Sequence, residues 1–67
     1  MNEPTANITL LAGAWLWQSA LNARKILVPI HGASIIREGT LPGWMLVRLP
    51  NGRTREVGKR FIETSAL

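Results

Sequence analysis

The stretch "WMLVRLPNGRTREV", Trp44 to Val57, constrains this chain more than any other. Strand-forming residues run up to a Pro-Asn-Gly turn and resume after it, the signature of an antiparallel hairpin. Asn-Gly alone suits a two-residue loop. Pro50 changes that preference. With Leu49 as the first turn residue, Pro50 presets φ, Asn51 follows, and Gly52 takes the left-handed position of a three-residue loop. Leu49 then lies opposite Arg53, Val47 opposite Arg55, and Met45 opposite Val57. One face carries Met45, Val47, Leu49 and Val57, with Arg53 and Arg55 at its tip. The other carries Trp44, Leu46, Arg48, Thr54 and Glu56. A two-residue loop would flip the returning strand and set Arg48 against Arg55, which is unfavourable without an anion between them.

Little material surrounds this hairpin. Sixty-seven residues make one domain, and a chain this short buries only about 60% of the surface it exposes unfolded. With no cysteine, disulfides and Cys-based metal sites are excluded. The core must come from aliphatic side chains and three tryptophans, or from a partner chain. Residues 1–6 and 64–67 have nothing obvious to bury and read as flexible tails.

The first apolar segment, "ITLLAGAWLWQSAL", reads as a helix beginning near Ile8, with Thr5 or Asn7 as its cap. Leu10, Ala14, Trp17 and Leu21 recur at helical spacing. On a helix, Trp15 and Trp17 cannot point the same way. One would fill the core and the other would anchor a partner, so both are candidate partner-binding residues. "ILVPIHG" follows as an edge strand stopped by Pro29, with His31-Gly32 as a turn. Ala33 to Glu38 is either a short helix, stopped by Gly39 with Pro42 beyond, or a strand. The fold expected is therefore α+β: one N-terminal helix packed on a small antiparallel sheet, with a basic C-terminal hairpin. The winged-helix-like arrangement follows if Ala33–Glu38 is helical. An SH3-like barrel is the alternative, with strands near Lys25–Pro29, Ala33–Arg37, Met45–Leu49 and Arg53–Val57.

Charge points toward function. Eight basic residues face four acidic ones, for a net charge of +4, and such a balance in a small protein favours anionic partners. Five of the eight cations lie between Arg48 and Arg60. Arginine offers a fork of donors that fits phosphate oxygens in pairs. The candidate nucleic-acid-binding residues are Arg37, Arg48, Arg53, Arg55, Lys59 and Arg60. The bland reading of the same charge is that a basic tip keeps an exposed ribbon from pairing with a neighbour.

"IIREGTLPG", Ile35 to Gly43, followed by a hairpin containing "NGR", resembles part of the small phage and plasmid excisionases and is similar to MerR-like winged-helix proteins. The resemblance spans about Ala33 to Ile62. It implies a short recognition helix placing Ser34 and Arg37 in the major groove, and a wing carrying Arg48, Arg53 and Arg55. The apolar "LLAGAWLW" departs from that family, which opens on a helix-turn-helix with a polar outer side.

The function expected is a small basic nucleic-acid-binding accessory protein, DNA-binding and regulatory or recombination-related. The alternative is a non-catalytic interaction or assembly subunit held by a Trp-rich helix, as a homo-oligomer or on a larger protein. Enzymatic activity is not expected. His31 is the single histidine, the carboxylates are four glutamates, and the glycines form no phosphate-binding loop. No cofactor or metal is expected. The 14-residue apolar segment is too short for a bilayer span of about 20 residues, and "MNEP" lacks the basic start of a signal peptide. A cytoplasmic location is expected. A peripheral membrane role, anchored by Trp15, Trp17 and the Arg24-Lys25 pair, ranks last.

Overall fold

A computed structural model describes residues 8–19 and 22–64. The expected tail 1–6 and the caps Thr5 and Asn7 lie outside the described residues; of the expected tail 64–67, Thr64 is instead a strand residue paired with Ile8, and residues 65–67 lie outside the described residues. Among the described residues seven strands make the fold: β1 (Ile8–Leu10), β2 (Trp15–Ser19), β3 (Asn22–Lys25), β4 (Ile30–Glu38), β5 (Trp44–Arg48), β6 (Thr54–Gly58) and β7 (Ile62–Thr64). A single 3-10 turn, Lys59–Phe61, joins β6 to β7. All pairings are antiparallel, and the strand order is β3-β2-β6-β5-β4-β1-β7.

The expected N-terminal helix does not form. Its segment is split by a turn, in which the Ala14 N–H donates to the Leu11 carbonyl at 3.2 Å. Gly13 sits at φ +94°, a left-handed conformation that suits glycine and excludes a right-handed helix. The Gly13 N–H donates to the Ile26 carbonyl and the Ile26 N–H to the Ala14 carbonyl, both at 2.9 Å, so the chain leaves the turn already paired with its returning neighbour. Period-two burial then holds on either side: Ile8 and Leu10, then Ala14 and Leu16, are buried.

Ala33 to Glu38 is strand, within the nine-residue β4. The winged-helix reading is thereby overturned, and with it the resemblance to excisionases and MerR-like proteins. His31 is not in a turn but within β4, opposite Thr9, with Thr9 Oγ1 and His31 Nδ1 3.1 Å apart. The barrel alternative also falls. The sheet is open, ending at β3 on one side and β7 on the other.

β4 organises the open sheet. Its first half pairs with β1 and its second half with β5. The register skips Gly32 against β1 and Ile36 against β5, and irregularities of this kind bend a strand and increase its twist. The core shows the consequence. Leu10, Ala14, Ala33, Val47 and Val57 are wholly buried, yet no helix is present among the described residues to cover them. Strands of the same sheet exclude water from them, together with Ile26 and Leu49 of the connections and Phe61 of the 3-10 turn, so the sheet curls over its own inner face. Emptying one of these positions would be severe. Leu-to-Ala changes in a core cost about 2–5 kcal/mol, against roughly 3–10 kcal/mol for a domain of this length.

The β5–β6 hairpin has the three-residue loop that Pro50 favours. Val47 pairs with Arg55 and Met45 with Val57. The Leu49 N–H donates to the Arg53 carbonyl at 2.7 Å, and the Gly52 N–H to the Leu49 carbonyl at 2.8 Å. Gly52 takes φ +91°.

Candidate nucleic-acid interface

Register decides where each cation goes. Arg55 shares the inner face with Val47, near the tip of the hairpin, where Pro50–Gly52 turn the chain. Arg53 follows the turn and is exposed. On the far side of the sheet, β3 pairs with β2 so that Arg24 lies opposite the buried Leu16. Arg24 therefore also belongs to the inner face, at an open edge. These two segments border one cleft of about 470 Å³, lined by Gln18, Asn22, Arg24, Asn51, Arg53 and Arg55 over a floor that includes Leu16, Ile26, Ile30 and Leu49. Among the described residues no carboxylate lines it. Three arginines and three amide-bearing residues thus line the cleft; the Arg55 guanidinium donates to the Thr54 carbonyl at 2.6 Å, and the hairpin tip is held in shape by Asn51, whose Oδ1 accepts the Arg53 N–H at 2.9 Å.

The six candidate residues do not form one surface. Arg53 and Arg55 enter the cleft. Arg48 lies opposite Thr54 and Arg37 opposite Leu46, which puts both on the outer face. Lys59 and Arg60 sit on the 3-10 turn at the other end of the hairpin. Ser34, which the family resemblance placed in a major groove, is 6% exposed and cannot reach a groove. The winged-helix mode of DNA binding has no structural basis here. Arg24 was not among the expected residues, because its place beside the hairpin tip depends on pairing opposite Leu16.

Trp15 and Trp17 flank Leu16 on a strand and so share the outer face, the reverse of the helical expectation. Trp15 is 48% exposed. Trp17 is half-buried between Ala23 of β3 and Glu56 of β6.

Among the described residues no group of three or more His, Cys, Asp or Glu side chains is placed to hold a metal. None of the described residues forms a helix long and apolar enough to cross a membrane. Comparison with protein families, curated proteins and solved structures returns no match.

Proposed function

We propose that this chain is a small, basic, non-catalytic accessory module that binds a nucleic-acid strand through its phosphate backbone. The observation that supports this most is the convergence of Arg24, Arg53 and Arg55 on one cleft with no carboxylate in its lining among the described residues. Three like charges gathered at one place repel each other, and an anion relieves that repulsion while filling the donors. The amides of Gln18, Asn22 and Asn51 add neutral donors and acceptors suited to sugar and phosphate oxygens. A flexible single strand suits a recessed cleft of this size. The test is fluorescence anisotropy with labelled single-stranded RNA, single-stranded DNA and duplex over a range of salt. Each phosphate neutralised on a single strand contributes about −0.7 to the slope of log K against log salt, so three arginines give about −2. No binding at low salt would remove the proposal.

A second reading, an assembly subunit, is favoured by the β3–β4 connection. Leu27 is 82% and Val28 67% exposed there, side by side at the tip of a loop. Replacing both by serine should then convert a self-associated or partner-bound form to monomer in sedimentation. A wild-type monomer that retrieves no partner would count against it.

A further inference from the structure

Five of the six glycines have an architectural reason. Gly13, Gly32, Gly43 and Gly52 take positive φ. At Gly39 a Cβ would lie 2.8 Å from Glu56 Oε1 and 2.9 Å from the Trp44 carbonyl oxygen, closer than side chains approach. Gly58 has no such reason. Its φ of −65° and ψ of 136° are ordinary extended values. A Cβ there would meet only Phe61 Cδ2 at 3.6 Å and Arg60 Cγ at 4.0 Å, which is normal van der Waals contact.

The absent side chain does have a consequence on the outer face. Gly58 pairs with Trp44 on one side. On the other, the Trp17–Glu56 pairing, continued along the strands, brings Trp15 level with Gly58. A glycine thus lies between two tryptophans on neighbouring strands. It floors a groove of about 510 Å³ bordered by Trp15, Trp44, Phe61, Lys59 and Arg60. Strands lie about 4.8 Å apart, so the two tryptophan backbones are about 10 Å from each other. One flat ring stacked on both sides needs about 7–8 Å. The groove is rimmed by positive charge. Lys59 and Arg60 border it, the Arg60 guanidinium lies 5.8 Å from the centre of the Phe61 ring, and Lys25 stands opposite Trp15 on the next strand. The nearest carboxylate along the outer face of β6, Glu56, is engaged by Thr40.

We propose that Trp15 and Trp44, with Gly58 as floor, form a slot that stacks one unpaired nucleobase, while Lys59, Arg60 and Lys25 take the phosphates beside it. The slot rests on the nucleic-acid reading for the class of its ligand, but uses none of the arginines of the cleft. Tryptophans on either side of a glycine floor favour a flat ring. Positive rims select one that carries flanking negative charge.

The test compares a 12-nucleotide oligothymidylate with an abasic strand of the same length, read by anisotropy and by quenching of tryptophan fluorescence. Both carry the same phosphates. Stacking should make the base-bearing strand bind about 5- to 100-fold more tightly, with quenching. Gly58→Val, which fills the floor with a strand-compatible side chain, should remove that difference and leave the weaker abasic binding unchanged. Arg53→Glu with Arg55→Glu should weaken both strands and preserve the difference. Equal affinity of the two strands for the wild-type chain would overturn the slot and leave the cleft standing. Failure of both strands to bind would overturn slot and cleft together. Quenching by a proline decapeptide with none by the oligonucleotide would assign the groove to a protein segment and also overturn the proposal.

Discussion

Thr40 and Glu56, 16 residues apart, are joined twice: the threonine hydroxyl donates to Glu56 Oε2 at 2.7 Å and its backbone N–H to Oε1 at 3.2 Å. Through this pair β6 holds the start of the β4–β5 connection, whose other end is held where the Lys59 N–H donates to the Gly43 carbonyl at 2.8 Å. The Gly39 N–H completes the clasp by donating to the Trp44 carbonyl at 2.7 Å. Hydrogen bonds to a charged group contribute about 1.5–3 kcal/mol where water is excluded, and less at this half-exposed site. Glu56→Ala should therefore cost about 1–2 kcal/mol, a fall in Tm of roughly 4–15 °C for a domain of this size. Thr40→Val should cost less, because the backbone N–H keeps its partner. Thermal melts followed by circular dichroism measure both, and a Tm within 2 °C of wild type (about the scatter of such a melt) for Glu56→Ala would refute the clasp.

The same clasp makes two glycines respond in opposite ways. A methyl at Gly39 would press on Glu56 Oε1 and on backbone, and overpacking of that kind costs about 1–3 kcal/mol. A methyl at Gly58 meets only ordinary contacts, while alanine lowers the entropy of the unfolded chain, for a gain of about 0.4–1 kcal/mol. Urea denaturation should order the variants Gly58→Ala, wild type, Gly39→Ala, from most to least stable. A destabilised Gly58→Ala would show that the strand itself requires that glycine.

Gly13 separates the two readings of the first segment. Alanine for glycine inside a helix gains about 1 kcal/mol. At φ +94° the same change puts a Cβ against the following carbonyl and costs about 1–2 kcal/mol. Gly13→Ala should thus lower the urea midpoint with an unchanged m-value, and a raised midpoint would contradict the turn.

These variants also show why some of the fold was legible and some was not. The hairpin could be read because its information is local: Pro50 and Gly52 select the loop, and the loop sets every pair from Leu49–Arg53 to Met45–Val57. The first segment misled because its outer face is apolar too. Trp15 and Trp17 flank Leu16 on a strand, so alternation between buried and exposed positions left no polar mark, and Leu10, Ala14 and Trp17 matched a helical period by coincidence of spacing. Ala33–Glu38 could not be decided because β4 serves two partners, and both Ala33 and Ser34 are buried where one sheet face would bury only one of them. Arg53 and Arg55 were visible as a charged tip. Arg24 was not, since it reaches the cleft only through its pairing opposite Leu16. In the Trp15–Gly58–Trp44 row, Trp44–Gly58 continues the hairpin register, whereas Trp15 joins it through strand pairing across more than 40 residues of chain, with no local trace.

The division of the arginines by sheet face yields the sharpest comparison. Arg24 and Arg55 border the cleft, whereas Arg48 lies opposite Thr54 on the outer face. All three carry the same charge, so a protein that attracts nucleic acid only through its net charge would lose affinity equally with each. Charge reversal at a phosphate-contacting arginine removes one contact and adds a repulsion. Arg24→Glu and Arg55→Glu should each weaken binding to a single strand about 10-fold or more at low salt and flatten the salt slope by about 0.7, the share of one phosphate. Arg48→Glu should lower affinity by less than about 3-fold, through long-range attraction alone, and leave the slope unchanged. Anisotropy titrations of the three variants at four salt concentrations suffice. Equal losses at Arg24, Arg48 and Arg55 would mean that the cleft binds nothing in particular, and that the convergence of Arg24 with the hairpin tip is a feature of the surface charge.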